Sequence, residues 1–543
     1  MVKNSITFLS FLLLSSCLFA KSKQQKFIVY FKDKPTTEIV QPAFSEKAIL
    51  KRILFNIPFD ERDYPISVAY KQQLEQASIQ IIKQSNWLNA ALVWADEHQL
   101  QQFHFIASYQ KVENIKQKNE IVRNGTEANK ENAETQTFED HFLSSFPQTH
   151  LLNGEYLHEQ GFNGENMTIA VCDNGFYNVD SNAAFHHIFE DNRMLGTFDY
   201  VHNDSLVYDE SGGAPNYTSH GSNCLSFIAG KIDSQYIGTA TKSNFYLFHT
   251  ENNSSERLQE EFNLATALER CVQIGVDVVS ISLGYTQFDV ASESHDTLDM
   301  KLNSTPAAKA VNIASSKGML VCVAAGNEGA KPWKYISTPS DADSAFCIAS
   351  VDLSGNVAAS SGYGLATDTR VKPNIAAVGV NAKYIKTNGT ISTGGGTSYA
   401  TPQIAGLAAC LWQAFPSKTN WEIKTAIEQS ASQYLSPDKR IGYGIPDFKK
   451  AYQLLATTTA IKNNFLEDDF LVFPNPTQHS FSIKNMGLST INQIQFYDYS
   501  GKMLLSFNAH STNELDISHL PSGIYFIKVA TDNGNVVKKI MKD

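Results

Sequence analysis

Three residues that lie far apart in the chain, Asp173, His220 and Ser398, carry the side chains needed for nucleophilic catalysis. A serine hydroxyl attacks well when a histidine takes its proton and a carboxylate holds the imidazole in place. Ser398 lies in the segment GTSYATP, residues 396–402, between a glycine run and an apolar stretch typical of a buried helix. Because a helix N-terminus favours developing negative charge, this position suits a nucleophile.

The surroundings of the other two residues, and of Asn327, fit the same chemistry. Asp173 ends the apolar run TIAVC and precedes an Asn-Gly turn, which predicts a position at the carboxyl end of a buried parallel strand. Open α/β sheets place their chemistry at such strand ends. His220 opens HGSNCLSFIAG, a helix-like segment. Asn327 lies in VAAGNEG, where a buried strand runs into a glycine turn.

Each residue taken alone has a purely structural explanation. A serine before a helix is most often an N-cap, and an aspartate before Asn-Gly is most often a turn former. A lone histidine in an apolar helix is usually a satisfied core or surface residue. We expect that role for the other histidines near these motifs, which are His186, His187, His202 and His249. The catalytic interpretation depends on the whole set of motifs.

The motifs, in this order, resemble those of the subtilisin-like serine proteases, and the resemblance covers roughly residues 145 to 455. It implies a triad of Asp173, His220 and Ser398, with Asn327 and the Ser398 backbone N–H as donors to an oxyanion. It also implies a substrate-binding strand formed by Ser282, Leu283 and Gly284. A wall of the specificity pocket would be formed by Ala324, Ala325 and Gly326. The sequence departs from the usual family pattern at two places. Asn174 stands where the family usually has Ser or Thr, and residues 220–224 read HGSNC in place of HGTHV.

The implied activity is a secreted endopeptidase that hydrolyses polypeptides through an acyl-enzyme. No cofactor is expected for the chemistry. Relatives often bind structural calcium, but the metal ligands stay unknown because no ligand set can be assigned from this sequence. Two alternatives are an adhesin built on a protease scaffold and a serine-carboxyl peptidase. The second would have a glutamate where His220 stands.

Composition and the N-terminus bound the cellular setting. A chain of 543 residues predicts two to four domains, and the net charge of −11 disfavours nucleic acid or an anionic membrane as main partner. Residues 1–20 are typical of a signal peptide, with a basic start and a short apolar run. Cleavage after Ala20 is favoured, and acylation of Cys17 as a lipoprotein is the alternative.

Residues 21–115 predict a small α/β unit that resembles the inhibitory propeptides of subtilases. The predicted strands and helices cover 27–31, 68–82, 87–95, 96–103 and 106–112, of which 68–82 and 96–103 are helical. The alternative is an ordinary domain retained in the mature protein. Residues 116–144 are polar and charged and predict a cleavable linker.

Residues 145–456 alternate strand and helix patterns, which predicts a parallel sheet covered by helices on both faces. Predicted strands are 169–173, 244–248, 276–282, 320–325 and 346–351, and predicted helices lie near 222–229, 260–274, 307–317 and 401–413. The polar segment 285–305 is a candidate loop at the cleft rim. Six cysteines in apolar runs leave disulfides and free buried thiols both open.

Residues 457–469 predict a second linker, and residues 470–543 a small all-β sandwich with strands near 493–499, 503–507, 514–517 and 524–530. The segments FPNP at 473–476 and LPSGIY at 520–525, with a basic end, resemble a type IX secretion C-terminal sorting domain. The alternative is a carbohydrate- or protein-binding module. The resemblances of the N-terminal and C-terminal segments together imply two partners, which are the protein's own propeptide and the type IX secretion machinery. They also imply export to the surface of a Gram-negative bacterium or to the medium.

Overall fold

The computed structural model describes residues 24–34, 43–112, 144–209, 219–458, 470–487, 489–508, 514–532 and 534–543. The predicted signal peptide with Cys17 and most of both predicted linkers lie outside these residues. Within the described ranges, the helices are too short or too polar to cross a bilayer.

The N-terminal unit is a four-stranded antiparallel sheet with three helices. Its elements are β1 Gln25–Phe31, α1 Glu46–Phe55, α2 Val68–Gln76, β2 Gln80–Ser85, β3 Ala90–Ala95, α3 Glu97–Leu100 and β4 Ile106–Val112. The strand order is β2-β3-β1-β4. Alternate residues of β1 pack on opposite faces, with Phe27 and Val29 in the unit's own core and Ile28 on the other face.

Two predictions in this unit are wrong in their bounds. The predicted helix 68–82 ends at Gln76, because Ser78 adopts a left-handed backbone with φ of 62° and turns the chain into β2. The predicted strand 87–95 begins only at Ala90, since residues 86–89 form a turn closed by Asn89 with φ of 47°. Asp96 caps α3 as a side-chain acceptor.

The central domain spans residues 144–458 and alternates strands with helices. Its helices are α4 Phe146–His150, α5 Glu155–Glu159, α6 His186–Glu190, α7 His220–Ala229, α8 Leu258–Ile274, α9 Asp299–Leu302, α10 Pro306–Ser316, α11 Thr397–Ala414, α12 Asn420–Ser430 and α13 Phe448–Thr458. Its strands are β5 Thr168–Asp173, β6 Met194–Asp199, β7 Lys231–Ile232, β8 Tyr236–Ile237, β9 Asn244–His249, β10 Val278–Ile281, β11 Leu320–Ala324, β12 Phe346–Val351, β13 Ile375–Val378, β14 Ala382–Ile385 and β15 Ile391–Gly394. The predicted cleft-rim loop 285–305 contains the short helix α9.

Seven of these strands form one parallel sheet in the order β13-β12-β11-β10-β5-β9-β6. Helices α7, α11, α12 and α13 pack on one face, and α8 and α10 pack on the other. The strands are continuous apolar runs because both faces are buried. The predicted fold class is therefore confirmed. The order reverses around β5, so the loops after β5 and β10 border the crevice where such sheets hold their sites.

The C-terminal domain consists of two antiparallel sheets packed face to face. Its strands are β16 Phe470–Phe473, β17 Ser480–Asn485, β18 Ile491–Asp498, β19 Met503–Asn508, β20 Leu515–Asp516, β21 Gly523–Thr531 and β22 Gly534–Lys542. The sheet orders are β16-β17-β20 and β19-β18-β21-β22. Phe481 of one sheet stacks on Phe496 of the other, with 5.6 Å between ring centroids. Three of these strands, β16, β17 and β22, were not predicted from the sequence.

The sheet of the N-terminal unit lies on α8 and α10 of the central domain. Ile28 and Leu92 pack into the same core as Phe262 and Ala308. The carboxylate of Glu269 in α8 accepts hydrogen bonds from the backbone N–H groups of Asn86 and Trp87, at 2.9 and 3.3 Å. The turn 86–89 is thereby fixed on the helix.

Candidate active site

Asp173 and His220 form a hydrogen-bonded pair between the end of β5 and the start of α7. Nδ1 of His220 lies 2.6 Å from Oδ1 of Asp173, which is fully buried. The same oxygen accepts the backbone N–H of Asn174 at 2.7 Å. The helix can approach this closely because residue 221 is glycine: a Cβ there would lie 2.3 Å from the carbonyl oxygen of Gly175.

The electrostatics of the pair favour a basic imidazole. Burial alone would lower the pKa of His220, but the Asp173 carboxylate outweighs it and holds the pKa well above the usual value. Because Nδ1 faces the carboxylate and carries the proton, Nε2 is the nitrogen left to accept another one.

Cys224 is a neighbour of this pair that the sequence analysis treated only as a buried cysteine. His220 lies one helical turn before Cys224 in α7. The Cys224 sulfur is 3.7 Å from Nδ1 and 4.0 Å from Nε2 of that imidazole. Burial raises the pKa of the Cys224 thiol to about 11, so the group is neutral at neutral pH. The i, i+4 spacing within the predicted helix was the signal that would have placed this thiol beside the imidazole.

Ser398 is the second residue of α11, which begins four residues before the predicted start at 401. The prediction placed the helix start at the proline segment, but Pro402 is tolerated inside the first turns. A proline has no N–H, so the carbonyl of Ser398 loses its helical donor. The hydroxyl of Ser282 and the thiol of Cys224 donate to that carbonyl instead, at 2.9 and 3.5 Å.

The Ser398 hydroxyl itself donates to the carbonyl oxygen of Ser282 at 3.2 Å. Ser398 and Ser282 thus exchange hydrogen bonds in both directions. Ser398 is 8 % exposed, and its carbonyl is joined through Cys224 to the imidazole of His220. Among the described residues, the hydroxyl bonds Ser282 and makes no hydrogen bond to His220.

The orientation of the Asn327 amide is fixed by Thr397 at the start of α11. The backbone N–H and the hydroxyl of Thr397 both donate to Oδ1 of Asn327, at 3.0 and 3.2 Å. The amide nitrogen therefore points away from Thr397. It lies beside Gly396, where a Cβ would be 3.4 Å from Nδ2 and where φ is 138°. The backbone conformation favours glycine at this position.

The two predicted substrate-binding segments differ in how their backbones are used. After β10 the chain runs through Ser282 to Gly284 and pairs again only at Tyr285 with Thr338. In the described part of the chain, the N–H and C=O groups of Leu283 and Gly284 are unpaired. Across the crevice, the carbonyls of Ala325 and Gly326 already accept N–H groups at 3.2 and 2.8 Å. Ala324 closes β11.

Three clusters in the described residues have ligand-type atoms close together. One is Asp173, His220 and Cys224. In the second, Asp199 accepts from His202 and His249, both at 2.9 Å. The third is acidic and consists of Glu251, Glu256 and Glu260. Glu251 accepts the hydroxyls of Thr250 and Tyr285, and Glu260 accepts two backbone N–H groups.

Two of the histidines expected to be satisfied core or surface residues lie against backbone carbonyls. Nε2 of His187 lies 2.8 Å from the carbonyl oxygen of Ala229, and Nε2 of His186 lies 3.3 Å from that of Ser181. The six cysteines in the described ranges are buried free thiols. Of the two states left open for them, the structure has the unpaired one.

Comparison with known proteins places this fold and site in one family. Residues 164–444, more than half of the chain, match the profile of the subtilase family, peptidase family S8, and the chain belongs to that family. Residues 26–135 match the S8 propeptide domain of Bacteroidota, and residues 471–543 match the secretion system C-terminal sorting domain. The predicted resemblances are confirmed for all three segments.

Curated relatives are bacterial proteases. A thermostable alkaline protease of Halalkalibacterium halodurans is 28 % identical over 304 residues, which cover 56 % of this chain and 72 % of the relative. Subtilisin NAT of Bacillus subtilis subsp. natto is 26 % identical over 322 residues, covering 58 % and 74 %. The protein is thus a subtilisin-like serine protease with a propeptide and a secretion tail.

A solved structure shares the fold over most of the chain. The epidermin leader peptide processing serine protease of Staphylococcus aureus aligns with a TM-score of 0.55 at 16 % identity, covering 82 % of this chain and 100 % of that chain. The sorting domain indicates secretion or a cell-surface location in Bacteroidota. From here we call residues 24–112 the propeptide and residues 470–543 the sorting domain.

Proposed function

We propose that this protein is a secreted endopeptidase that cleaves peptide bonds through an acyl-enzyme on Ser398. The observation that supports it most strongly is the 2.6 Å contact between the buried Asp173 carboxylate and Nδ1 of His220. A buried carboxylate in that place fixes the tautomer in which Nε2 is free to act as a base. Ser398 lies against the same group of residues, through Cys224 and Ser282.

The proposed reaction begins with rotation of the Ser398 hydroxyl from the Ser282 carbonyl toward Nε2 of His220. Catalytic hydrogen bonds are often loose before substrate binds, so the resting bond to Ser282 is compatible with this step. Oγ then adds to the substrate carbonyl carbon while Nε2 takes its proton. The imidazolium gives the proton to the leaving amine, and water repeats the sequence to release the acid and restore the serine.

The oxyanion formed in each half-reaction would be stabilised by two donors. One is Nδ2 of Asn327, directed away from Thr397 by the two hydrogen bonds on Oδ1. The other is the backbone N–H of Ser398, the second residue of α11, which needs no partner within the first turn of a helix. Donors held in place before the reaction stabilise the transition state without reorganisation.

Substrate would bind as an added strand along Ser282, Leu283 and Gly284, since the free backbone groups of Leu283 and Gly284 match that mode. By resemblance to the family, Ala324, Ala325 and Gly326 would form a wall of the specificity pocket. The carbonyls of Ala325 and Gly326 are already bonded inside the protein. The lack of charge in this wall favours uncharged substrate side chains. The chemistry requires no cofactor, and we assign no residues to calcium.

A direct test compares purified mature protein with its Ser398→Ala variant on a protein substrate such as casein. Ser417→Ala, at an exposed serine, is the matched control. We expect cleavage by the parent and the control and none by Ser398→Ala. Equal cleavage by all three would refute the assignment of Ser398. No cleavage by the folded parent would favour the adhesin alternative.

We further propose that residues 1–20 direct the chain across the inner membrane and that the type IX machinery exports it by its sorting domain. Removing residues 466–543 should leave peptide hydrolysis of the purified protein nearly unchanged. In the native host the truncated chain should accumulate in the periplasm, while the full chain reaches the surface or medium. Equal surface delivery of both would favour a binding module at residues 470–543.

A further inference from the structure

Helix α1 of the propeptide lies between the catalytic domain and the sorting domain. Toward the catalytic domain, the ammonium groups of Lys47 and Lys51 reach the buried carboxylate of Asp277 at 2.6 and 3.1 Å. The backbone of α1 also approaches α8, where a Cβ at Gly275 would lie 2.9 Å from the N atom of Ala48. One face of the helix is thereby held on the catalytic domain.

The opposite face of α1 carries an apolar contact with the sorting domain. Ile49 and Ile53 of the helix are 6 % and 3 % exposed and form one cluster with Tyr497 and Phe526, which are 8 % and 2 % exposed. Tyr497 belongs to β18 and Phe526 to β21, so they project from the four-stranded sheet. Burial of large apolar side chains is the main favourable contribution to such a contact.

Lys528 adds a polar contact at the C-terminal end of α1. Its ammonium, on a residue only 2 % exposed, donates to the carbonyl of Ile53 at 3.1 Å and to Oδ1 of Asn56 at 2.6 Å. These acceptors lie at the C-terminal end of α1, where the helix dipole is negative and favours a cation. Burial lowers the pKa of Lys528. The partners that offset this burial are therefore supplied by the propeptide.

The edge of the contact is also complementary. Lys539 of β22 pairs with Glu46 at the start of α1 at 2.8 Å, with both side chains about half exposed. Gly501, at φ of 80°, faces Phe59 of the propeptide, and a Cβ there would lie 2.9 Å from the ring. An apolar centre, a buried cation at a helix end and an ion pair at the rim together describe an interface.

We propose that α1 is a docking site for the sorting domain in the precursor, and that removal of the propeptide releases the sorting domain from the rest of the protein. We call Tyr497, Phe526 and Lys528 the α1-binding face. This face is covered while the propeptide is present and becomes exposed when it leaves. Activation of the protease and presentation of the sorting domain are thereby coupled, and only this release step rests on the proposed function.

The docking is tested in the full chain carrying Ser398→Ala, which cannot process itself, with a site for a specific protease inserted between residues 463 and 464. After cleavage there, the sorting domain should co-elute with the rest of the protein on size-exclusion chromatography at micromolar concentration. Lys528→Ala should weaken the complex roughly tenfold or more, because a buried charged hydrogen bond is lost. Lys484→Ala, an exposed lysine of the other sheet, should leave it unchanged.

Separate elution of the parent sorting domain, or equal weakening by both lysine variants, would overturn the docking. If Lys528→Ala does not fold, the half-exposed ion pair between Glu46 and Lys539 provides the test. Glu46→Lys and Lys539→Glu should each weaken the complex, and the double variant should restore it. In self-processed protein without Ser398→Ala, the cleaved sorting domain should elute alone. Continued co-elution with the mature catalytic domain would refute release while leaving docking intact.

Discussion

The two halves of the proposed active site are held in different ways. On one side, Asp173 and His220 already make the hydrogen bond that the reaction uses. On the other, the hydroxyl of Ser398 donates to the Ser282 carbonyl and must rotate before it can act. The base is assembled in advance, whereas the nucleophile is positioned by its backbone and stays bonded elsewhere.

The difference follows from the chemistry of the groups. A buried carboxylate is costly without a partner, so the fold provides one permanently at the junction of β5 and α7. A neutral hydroxyl accepts several partners with little change in free energy and can exchange them during a reaction. Substitutions in the first half should therefore affect proton transfer, while those around Ser398 should affect attack and oxyanion formation.

The largest expected effect is the loss of the nucleophile. Ser398→Ala should lower kcat by roughly a millionfold, the loss that subtilisin, a relative of this chain, shows without its serine. Replacing the hydroxyl by hydrogen should change the free energy of unfolding little, so the fold should stay intact. Turnover of a chromogenic peptide is the measurement. Circular dichroism checks that the variant is folded. If Ser398→Ala is unfolded, its kinetic loss is uninformative and Ser398→Cys replaces it as the test.

The next largest effect should come from the pre-assembled half. Asp173→Asn keeps the shape but favours the wrong imidazole tautomer, so kcat should fall by roughly ten-thousandfold. Single-turnover kinetics at saturating substrate measure it. A loss below tenfold would show that the Asp173 contact is structural and that His220 is oriented by other groups.

Asn327→Ala tests the oxyanion half. An oxyanion donor of subtilisin is worth roughly a hundredfold to a thousandfold in kcat, and we expect a loss of that order here with little change in KM. Thr397→Val is a useful companion, since it removes one of the two hydrogen bonds that direct the Asn327 amide. A large rise in KM with unchanged kcat would place Asn327 in ground-state binding instead.

The pH profile tests the base directly. The reaction requires neutral His220, and the Asp173 carboxylate raises its pKa above the ordinary value of about 6.5. Activity should therefore fall as pH drops through a pKa above that value, about tenfold per pH unit below it. In Asp173→Asn this acid limb should move to lower pH. A flat profile in folded protein would contradict a histidine base.

The smallest effect should come from Cys224, which touches both halves. Cys224→Ala removes a weak thiol donor to the Ser398 carbonyl, which keeps its bond from Ser282. The expected loss in kcat/KM is roughly severalfold, in line with one neutral hydrogen bond. Cys410→Ala is the matched control, because that thiol is also buried in the same domain but donates to Thr239. Equal kinetic effects of both would indicate general destabilisation.

The sequence was sufficient for the parts of the site that depend on local pattern. Asp173 ends β5 and His220 opens α7 as the apolar runs predicted, and β12 has the predicted bounds of 346–351. Prediction failed where a left-handed residue decides the outcome, as at Ser78, which ends α2 and starts β2. Such a conformation is rare for serine, so no local signal pointed to it.

The reciprocal bonds between Ser282 and Ser398 join residues 116 positions apart. The bond from the Ser282 hydroxyl arises because Pro402 leaves the Ser398 carbonyl without its helical donor. Both bonds form because the end of β10 lies next to the start of α11, a consequence of sheet order that no single segment encodes. The contact between α1 and Lys528 is similar, with a separation of 475 residues between Lys528 and Ile53. Contacts of this kind depend on how separate segments pack in three dimensions.

In the proposed mechanism, Ser398 becomes nucleophilic only with the help of His220 and Asp173. The most direct measurement is labelling of the mature protein with a peptidyl phosphonate, followed by mass spectrometry of the labelled peptide. We expect one adduct on Ser398, formed quickly in the parent, slowly in Asp173→Asn and not at all in Ser398→Ala. An adduct on another residue, or equal labelling rates in the parent and Asp173→Asn, would contradict the proposed mechanism.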